Sequence, residues 1–177
     1  LMALQGLWAV PWLMNFSGLT RSAAAAHLLL MGSGMLAGSL AIAFGIAPLA
    51  RRGITPQRLL QIGMGLGLLA ILLIVLGTGP SEPLWFMLGL VFSVGNLSYA
   101  LLQRHYAVTL AGRVNTALNL TVFVGAFCIQ WGFGAAVDAL QGAGHTLRAA
   151  YQISLGGLLI LQAMSWIWFL TRMRNRR

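Results

Sequence analysis

The chain has 177 residues, of which 59% are hydrophobic and only 7% are charged. A water-soluble domain carries about 25% charged residues, so this composition excludes an ordinary soluble globule and indicates a protein surrounded by lipid. The formal net charge of +9 does not indicate a nucleic-acid partner, because every cation is an arginine and the arginines cluster at the ends of apolar segments.

The charged residues divide the chain into six uncharged stretches of 20 or more residues. About 20 residues are needed to cross the hydrocarbon core of a bilayer as a helix, and continuous rather than alternating apolar runs favour helices over a barrel. The sequence therefore predicts an all-α integral membrane protein, folded as one membrane domain over residues 1–177. The predicted spans are 2–19, 24–49, 57–77, 84–103, 115–138 and 149–171. Thr55 before Pro56 predicts a capped start of the third span.

The arginines fall unequally on the two sides of a six-span topology. Nine of the eleven, including Arg51, Arg52 and Arg113 in predicted loops, lie on one side. Because positive charge accumulates on the inner side, we place these loops and the C-terminal tail in the cytoplasm. Arginine as the sole cation, with abundant Ala and Gly, fits a GC-rich bacterial genome, and we expect the protein in a bacterial inner membrane. The first apolar run has no basic leader, and we interpret the chain as a fragment.

Polar side chains form stripes on the first, fourth and fifth predicted spans. On a helical wheel the stripe of the first span, formed by Gln5, Trp8, Trp12 and Asn15, occupies an arc of about 80°. Amide side chains are too costly to point at lipid, so we expect these faces to turn toward protein or a water-filled cavity. The third span, by contrast, contains only Gln61 near its start. The candidate cavity-lining residues are Gln5, Trp8, Trp12, Asn15, Asn96, Tyr99, Asn119 and Gln130.

Small residues share one face of the second predicted span. Gly34, Gly38 and Gly45 lie within about 40° of one another on a helical wheel, and the first two form a GxxxG pair. Because small residues at this spacing let two helix backbones approach closely, we predict that this face packs against another helix.

Three local strings resemble parts of one transporter family, the major facilitator superfamily. Residues 5–12 resemble its opening cavity helix in bacterial members, residues 45–53 resemble its second cytoplasmic loop motif, and residues 112–117 resemble the segment that enters the penultimate helix. Leu49 stands where the loop motif has an aspartate, so only a helix-turn role is carried over to Arg51 and Arg52.

The resemblance covers the whole chain and implies the C-terminal six helices of such a transporter, built from two inverted three-helix repeats. It implies transport of a small polar or amphiphilic solute by alternating access, with a missing N-terminal six-helix half as partner. The alternative is a free-standing six-helix membrane scaffold or a self-pairing half-transporter.

An intramembrane enzyme is disfavoured. Ser33 lies in a Gly-Ser-Gly string that resembles the serine motif of rhomboid-type proteases, but a catalytic serine needs a base within hydrogen-bond reach, and His27 lies on another face. Clustered metal ligands are absent from the sequence. Asp138, at the end of the fifth span, is interpreted as a contact to Arg148. We predict no catalytic residue, no metal and no cofactor.

Overall fold

The computed structural model describes residues 8–78 and 81–174, and every regular element in these ranges is helical. The seven α-helices are α1 (Ala9–Phe16), α2 (Arg21–Arg51), α3 (Pro56–Leu76), α4 (Ser81–Phe92), α5 (Leu97–Gln103), α6 (Ala111–Gly142) and α7 (Leu147–Arg174). Two short 3₁₀ segments complete the described chain, Ser93–Asn96 between α4 and α5, and Val108–Leu110 before α6.

Within the described residues, five helical segments are long and apolar enough to cross a membrane, with α4, the 3₁₀ segment and α5 counted as one. They correspond to the second to sixth predicted spans. The first predicted span is described only in part, because α1 begins at Ala9. Large apolar side chains are exposed along these helices, among them Leu29, Phe44 and Phe127, which are 76%, 80% and 68% exposed. The prediction of an all-α chain is confirmed, and these helices are those of a membrane protein.

The ends of the helices carry ordinary capping chemistry. The side-chain oxygen of Thr55 accepts a hydrogen bond of 3.2 Å from the backbone N–H of Arg58, and Pro56 occupies the first turn of α3. The predicted cap is therefore confirmed. Gly77 ends α3 with φ +67°, a left-handed conformation that glycine adopts without steric cost. Thr20 caps α2 through the backbone N–H of Ala23.

The fourth span is not the continuous helix that its hydropathy predicts. It changes to a 3₁₀ segment over Ser93–Asn96 and returns to α-helix at Leu97. Ser93 is 1% exposed, and its hydroxyl donates a hydrogen bond of 2.7 Å to the carbonyl of Leu90. A hydroxyl that bonds a carbonyl in the preceding turn competes with the regular backbone ladder and often bends a helix, which accounts for the break at this point.

The closest helix contact is a parallel crossing of α2 and α4. A Cβ built on Gly34 would overlap the carbonyl oxygen of Phe86, and one built on Gly38 would overlap the carbonyl oxygen of Leu90. From the other side, a Cβ on Gly89 would overlap the carbonyl oxygen of Met31. Only residues without side chains allow two backbones to come this close.

The helices run alternately between two ends of the bundle, the arginine-rich end, which holds residues 51–58, 104–113 and 172–174, and the arginine-poor end opposite. The larger core cluster lies toward the arginine-poor end and contains Trp12, Trp85, Phe133 and Tyr151. The smaller cluster, formed by Leu60, Val94 and Leu97, lies toward the arginine-rich end. The two clusters set the positions of the polar and aromatic candidate residues.

Candidate functional site

A row of polar side chains joins α5 to α6. The hydroxyl of Tyr99 donates a hydrogen bond of 2.6 Å to Oδ1 of Asn119. One turn further along α5, Nε2 of Gln103 donates a bond of 2.7 Å to Oδ1 of Asn115. Because α5 and α6 are antiparallel, Tyr99 and Gln103 of α5 meet Asn119 and Asn115 of α6, and the two hydrogen bonds lie one turn apart. We call each of these hydrogen bonds a rung. We call these four residues the amide seam.

The amide seam is open to its surroundings. Asn119 is exposed, and the other three members of the seam are half-buried. Asn96 is exposed one turn before Tyr99, at the end of the 3₁₀ segment. Each amide in the two rungs keeps donor or acceptor capacity that its single bond does not use. Exposing such polar groups to lipid hydrocarbon is energetically unfavourable. The open side of the seam is therefore expected to face protein or water.

An aromatic cluster lies toward the arginine-poor end and includes Trp8 and Trp12. The ring centroid of Tyr151 lies 5.9 Å from that of Trp8, 5.6 Å from that of Phe133 and 6.5 Å from that of Trp12. Trp12 stacks on Phe16 with centroids 3.9 Å apart and an interplanar angle of 11°. These spacings are those of packed aromatic pairs, and they join α1, α6 and α7.

A small cavity of about 60 Å³ borders this cluster, and Trp85, Met31 and Leu88 complete its apolar wall. The Nε1 atom of Trp8, another wall residue, is buried and has no hydrogen-bond partner among the residues that the structure describes. A buried donor without an acceptor is destabilising by about 1–3 kcal/mol, but this N–H does not face the cavity, whose lining surface is entirely apolar. The cavity is therefore an apolar space walled in large part by aromatic rings.

Charged groups flank the cluster only at the bundle end. The guanidinium of Arg148 lies 5.6 Å from the ring centroid of Phe16, a cation–π geometry. Among the described residues no ion pair joins Arg148 to Asp138, so the contact expected from the sequence is replaced by one to an aromatic ring. The same part of the chain has no group of three or more His, Cys, Asp or Glu side chains that could hold a metal.

The candidate residues are therefore divided between two places. Tyr99 and Asn119 belong to the amide seam, and Asn96 lies beside it, whereas Trp8 and Trp12 belong to the aromatic cluster. Their separation was not evident from the helical wheels, which treat each span alone.

The remaining candidates lie elsewhere. Asn15 is exposed and donates its amide hydrogen to the carbonyl of Pro11, 2.8 Å away in its own helix. Gln130 is half-buried further along α6. Gln5 lies outside the described residues.

The other predicted positions are placed as follows. Gly34 and Gly38 lie in the α2–α4 crossing, whereas a Cβ on Gly45 would meet only Leu49 of its own helix, at 3.8 Å. Arg51, Arg52 and Arg113 are exposed at the arginine-rich end. The hydroxyl of Ser33 is exposed and donates to the carbonyl of Leu30 at 2.7 Å, a local helix contact.

Reasoning from the sequence did not select Phe133, Tyr151 or Trp85 for the cavity. Phe133 and Tyr151 contact Trp8 from helices remote in sequence, and no periodicity within one span could identify that contact. The signal that was available is aromatic content near the arginine-poor ends of the spans.

Comparison with known proteins found no matching protein family, no similar curated protein and no similar solved structure.

Proposed function

We propose that this chain is one six-helix half of a secondary transporter of the major facilitator type and moves a small polar or amphiphilic solute by alternating access. The observation that carries the proposal is the amide seam. Tyr99, Gln103, Asn115 and Asn119 are bonded across two apolar spans yet remain open on one side. Such a surface fits one wall of an aqueous path, completed by a second six-helix unit.

In the proposed architecture of two inverted three-helix repeats, helix contacts would occur in equivalent pairs. If spans one, two and three are exchanged with spans four, five and six, the crossing of α2 and α4 (spans two and four) becomes the contact between α6 and α1 (spans five and one). At the first, Gly34 and Gly38 admit α4; at the second, Gly134 lies beneath the ring of Trp8, with a Cβ there 3.2 Å from Cζ2. The third and sixth spans, which would exchange with each other, contact directly where Gly65 lies beneath Trp166, whereas the α6–α1 contact is much less extensive than the α2–α4 crossing.

The chemistry of the open surfaces favours a solute without net charge. The charged residues of the described spans, Asp138 and Arg148 among them, lie near helix ends. Amide and phenol groups of the seam can donate and accept hydrogen bonds. A neutral solute with several hydroxyl, amide or carbonyl groups matches this set.

The 3₁₀ segment provides a place for the fourth span to change shape. It ends at Asn96, less than one turn before Tyr99, and a short 3₁₀ stretch within a helix often marks a hinge. In the proposed mechanism α5 carries its half of the seam as the two six-helix units rock, and the rungs to α6 are kept or exchanged for bonds to solute. The excess of arginine at one end supports placing that end, with the C-terminus, in the cytoplasm of a bacterial inner membrane.

Transport by the full-length gene product tests the proposal. Vesicles containing it would be assayed for uptake of a panel of radiolabelled neutral metabolites, with Tyr99→Phe and Asn119→Ala as variants. Asn15→Ala is the matched control, because its amide is bonded within its own helix. We expect a tenfold or greater loss of uptake in the two seam variants and wild-type uptake in the control. Equal uptake in all three variants would contradict the role of the seam.

The second candidate is a scaffold or self-pairing half-transporter, in which the exposed seam meets a second copy. Cysteine placed at Phe123, which is 70% exposed one turn beyond Asn119 on α6, in a chain whose native Cys128 is replaced by serine, distinguishes the two. Rapid disulfide formation between copies without any solute uptake would favour the scaffold, whereas cross-linking combined with uptake would favour a self-paired carrier.

A further inference from the structure

A second cavity lies between α3, α4, α6 and α7 and shares no residue with the amide seam. Its volume is about 380 Å³, within the range of roughly 300–1,000 Å³ typical of small-molecule sites. Close-packed interiors contain few voids larger than a water molecule. This space is not such an interior void, because Met64 and Leu161 in its wall are exposed. It opens toward the membrane, a molecule from the membrane can enter it, and we call it the inter-repeat cleft.

The walls of the inter-repeat cleft are almost entirely aliphatic. Leu60, Met64 and Leu68 of α3 face Val91 and Phe92 of α4, with Ile129 from α6. No charged residue lines the cleft in the ranges that the structure describes. A bound water molecule is disfavoured, because a stably held water needs two to four polar partners. A bound ion is disfavoured more strongly, because no charged side chain in the wall compensates its charge.

Two polar side chains of α7, Gln162 and Ser165, also line the cleft. The hydroxyl of Ser165 donates to the carbonyl of Leu161 at 3.0 Å. The carboxamide of Gln162 is half-buried and has no hydrogen bond to any described residue. An unpaired amide in an apolar span is costly, and this one lies in the wall of the cavity.

We infer that the inter-repeat cleft binds a neutral, mostly apolar molecule whose single hydroxyl, carbonyl or amide group hydrogen-bonds Gln162. The depth of this residue separates a free solute from a bilayer phospholipid. Gln162 is within one turn of the middle of α7, whose 28 residues run from Leu147 to Arg174. Phospholipid ester groups lie in the interfacial region, outside the hydrocarbon core. The occupant is therefore a free amphiphile able to enter to mid-depth.

Glycines shape the cleft and offer a way to fill it. At Gly63 a Cβ would lie 2.9 Å from Val94, so that glycine is required by packing. At Gly95, which also lines the cleft, a Cβ would meet no heavy atom within 4 Å. A larger side chain at residue 95 is therefore accommodated by the fold and takes up space otherwise available to a ligand.

Photolabelling of the full chain in phosphatidylcholine vesicles tests the site. The probe is a long-chain primary alcohol with a diazirine beside its hydroxyl, and labelled residues are located by peptide mass spectrometry. We expect labelling of α3 and α7 around Met64 and Gln162. Gln162→Leu should reduce labelling about threefold, the effect of one typical hydrogen bond between membrane helices. Gly95→Leu should reduce it further.

Gln152→Leu is the matched control, because Gln152 is an exposed amide on the same helix outside the cleft. Equal labelling of the Gln162 and Gln152 variants, with wild-type thermal unfolding of both, would overturn the proposal. A second arm uses phosphatidylcholine with a diazirine next to its ester. Labelling of the cleft by this lipid that depends on Gln162 would assign the occupant to the bilayer and overturn the free-solute inference. Neither outcome depends on transport, so this site and the proposed carrier function fail separately.

Discussion

Replacing Gly34 by alanine perturbs the closest backbone contact in the fold. The added Cβ would overlap the carbonyl oxygen of Phe86 and lie 3.0 Å from the backbone nitrogen of Leu90. Both atoms belong to the backbone of α4, so neither can move away by a change of rotamer. The two helices must separate, and the packing along the crossing is lost.

The magnitude follows from the difference between Gly34→Ala and Gly32→Ala on the same helix. Forcing an extra methyl into a well-packed contact lowers the free energy of unfolding by about 1–3 kcal/mol. At Gly32 a Cβ meets no heavy atom within 4 Å, and alanine is favoured over glycine within a helix by about 0.8–1.0 kcal/mol. Gly32→Ala should therefore be neutral or slightly stabilising, and the two variants should differ by about 1–4 kcal/mol.

Unfolding of the detergent-solubilised chain by SDS, followed by tryptophan fluorescence and circular dichroism, measures both free energies. Gly45→Ala is a second control, because a helical wheel places Gly45 on the same face as Gly34 while the structure gives it no contact to another helix. Equal unfolding free energies for the alanine variants at residues 32, 34 and 45 would refute the crossing.

Three further predictions concern single hydrogen bonds and use the same unfolding assay. A double-mutant cycle of Tyr99→Phe and Asn119→Leu should give a coupling of about 0.6–1.7 kcal/mol; additivity would mean that the rung does not form. Trp166→Phe removes the 2.9 Å indole bond to the backbone of α3 and should destabilise by about 0.5–1.5 kcal/mol, whereas Trp168→Phe, at an exposed position, should not. Thr55→Ala removes the cap of α3 and should lower stability by about 0.5–2 kcal/mol, and an unchanged midpoint would contradict the cap.

Hydropathy and local chemistry were sufficient to predict most of the helical elements. The described spans begin and end within a few residues of the expected bounds, and the cap at Thr55 was readable because its chemistry involves only the neighbouring turn. The break at Ser93–Asn96 was not predicted. The break occurs at Ser93, which is buried against another helix. The sequence alone does not distinguish a buried serine from one that faces lipid.

The candidate residues illustrate the same limit. A helical wheel correctly groups Gly34, Gly38 and Gly45 on one face, but a crossing touches that face over only a few turns, and Gly45 lies beyond it. The bonding of Tyr99 to Asn119 required the register between two antiparallel helices. The angle at which two helices cross and the register between them cannot be predicted from the sequence of one span alone.

The amino-acid sequence by itself determined that the chain is helical, that its long helices are apolar and that its charges lie at their ends, because each of these depends on composition or on residues a few positions apart. Only the tertiary structure decided that Trp8 meets Phe133 and Tyr151, that two side-chain hydrogen bonds join α5 to α6, and that Gln162 lies in the wall of a cavity. These depend on how helices cross, and crossings are chosen by the packing of all the helices together rather than by any one of them.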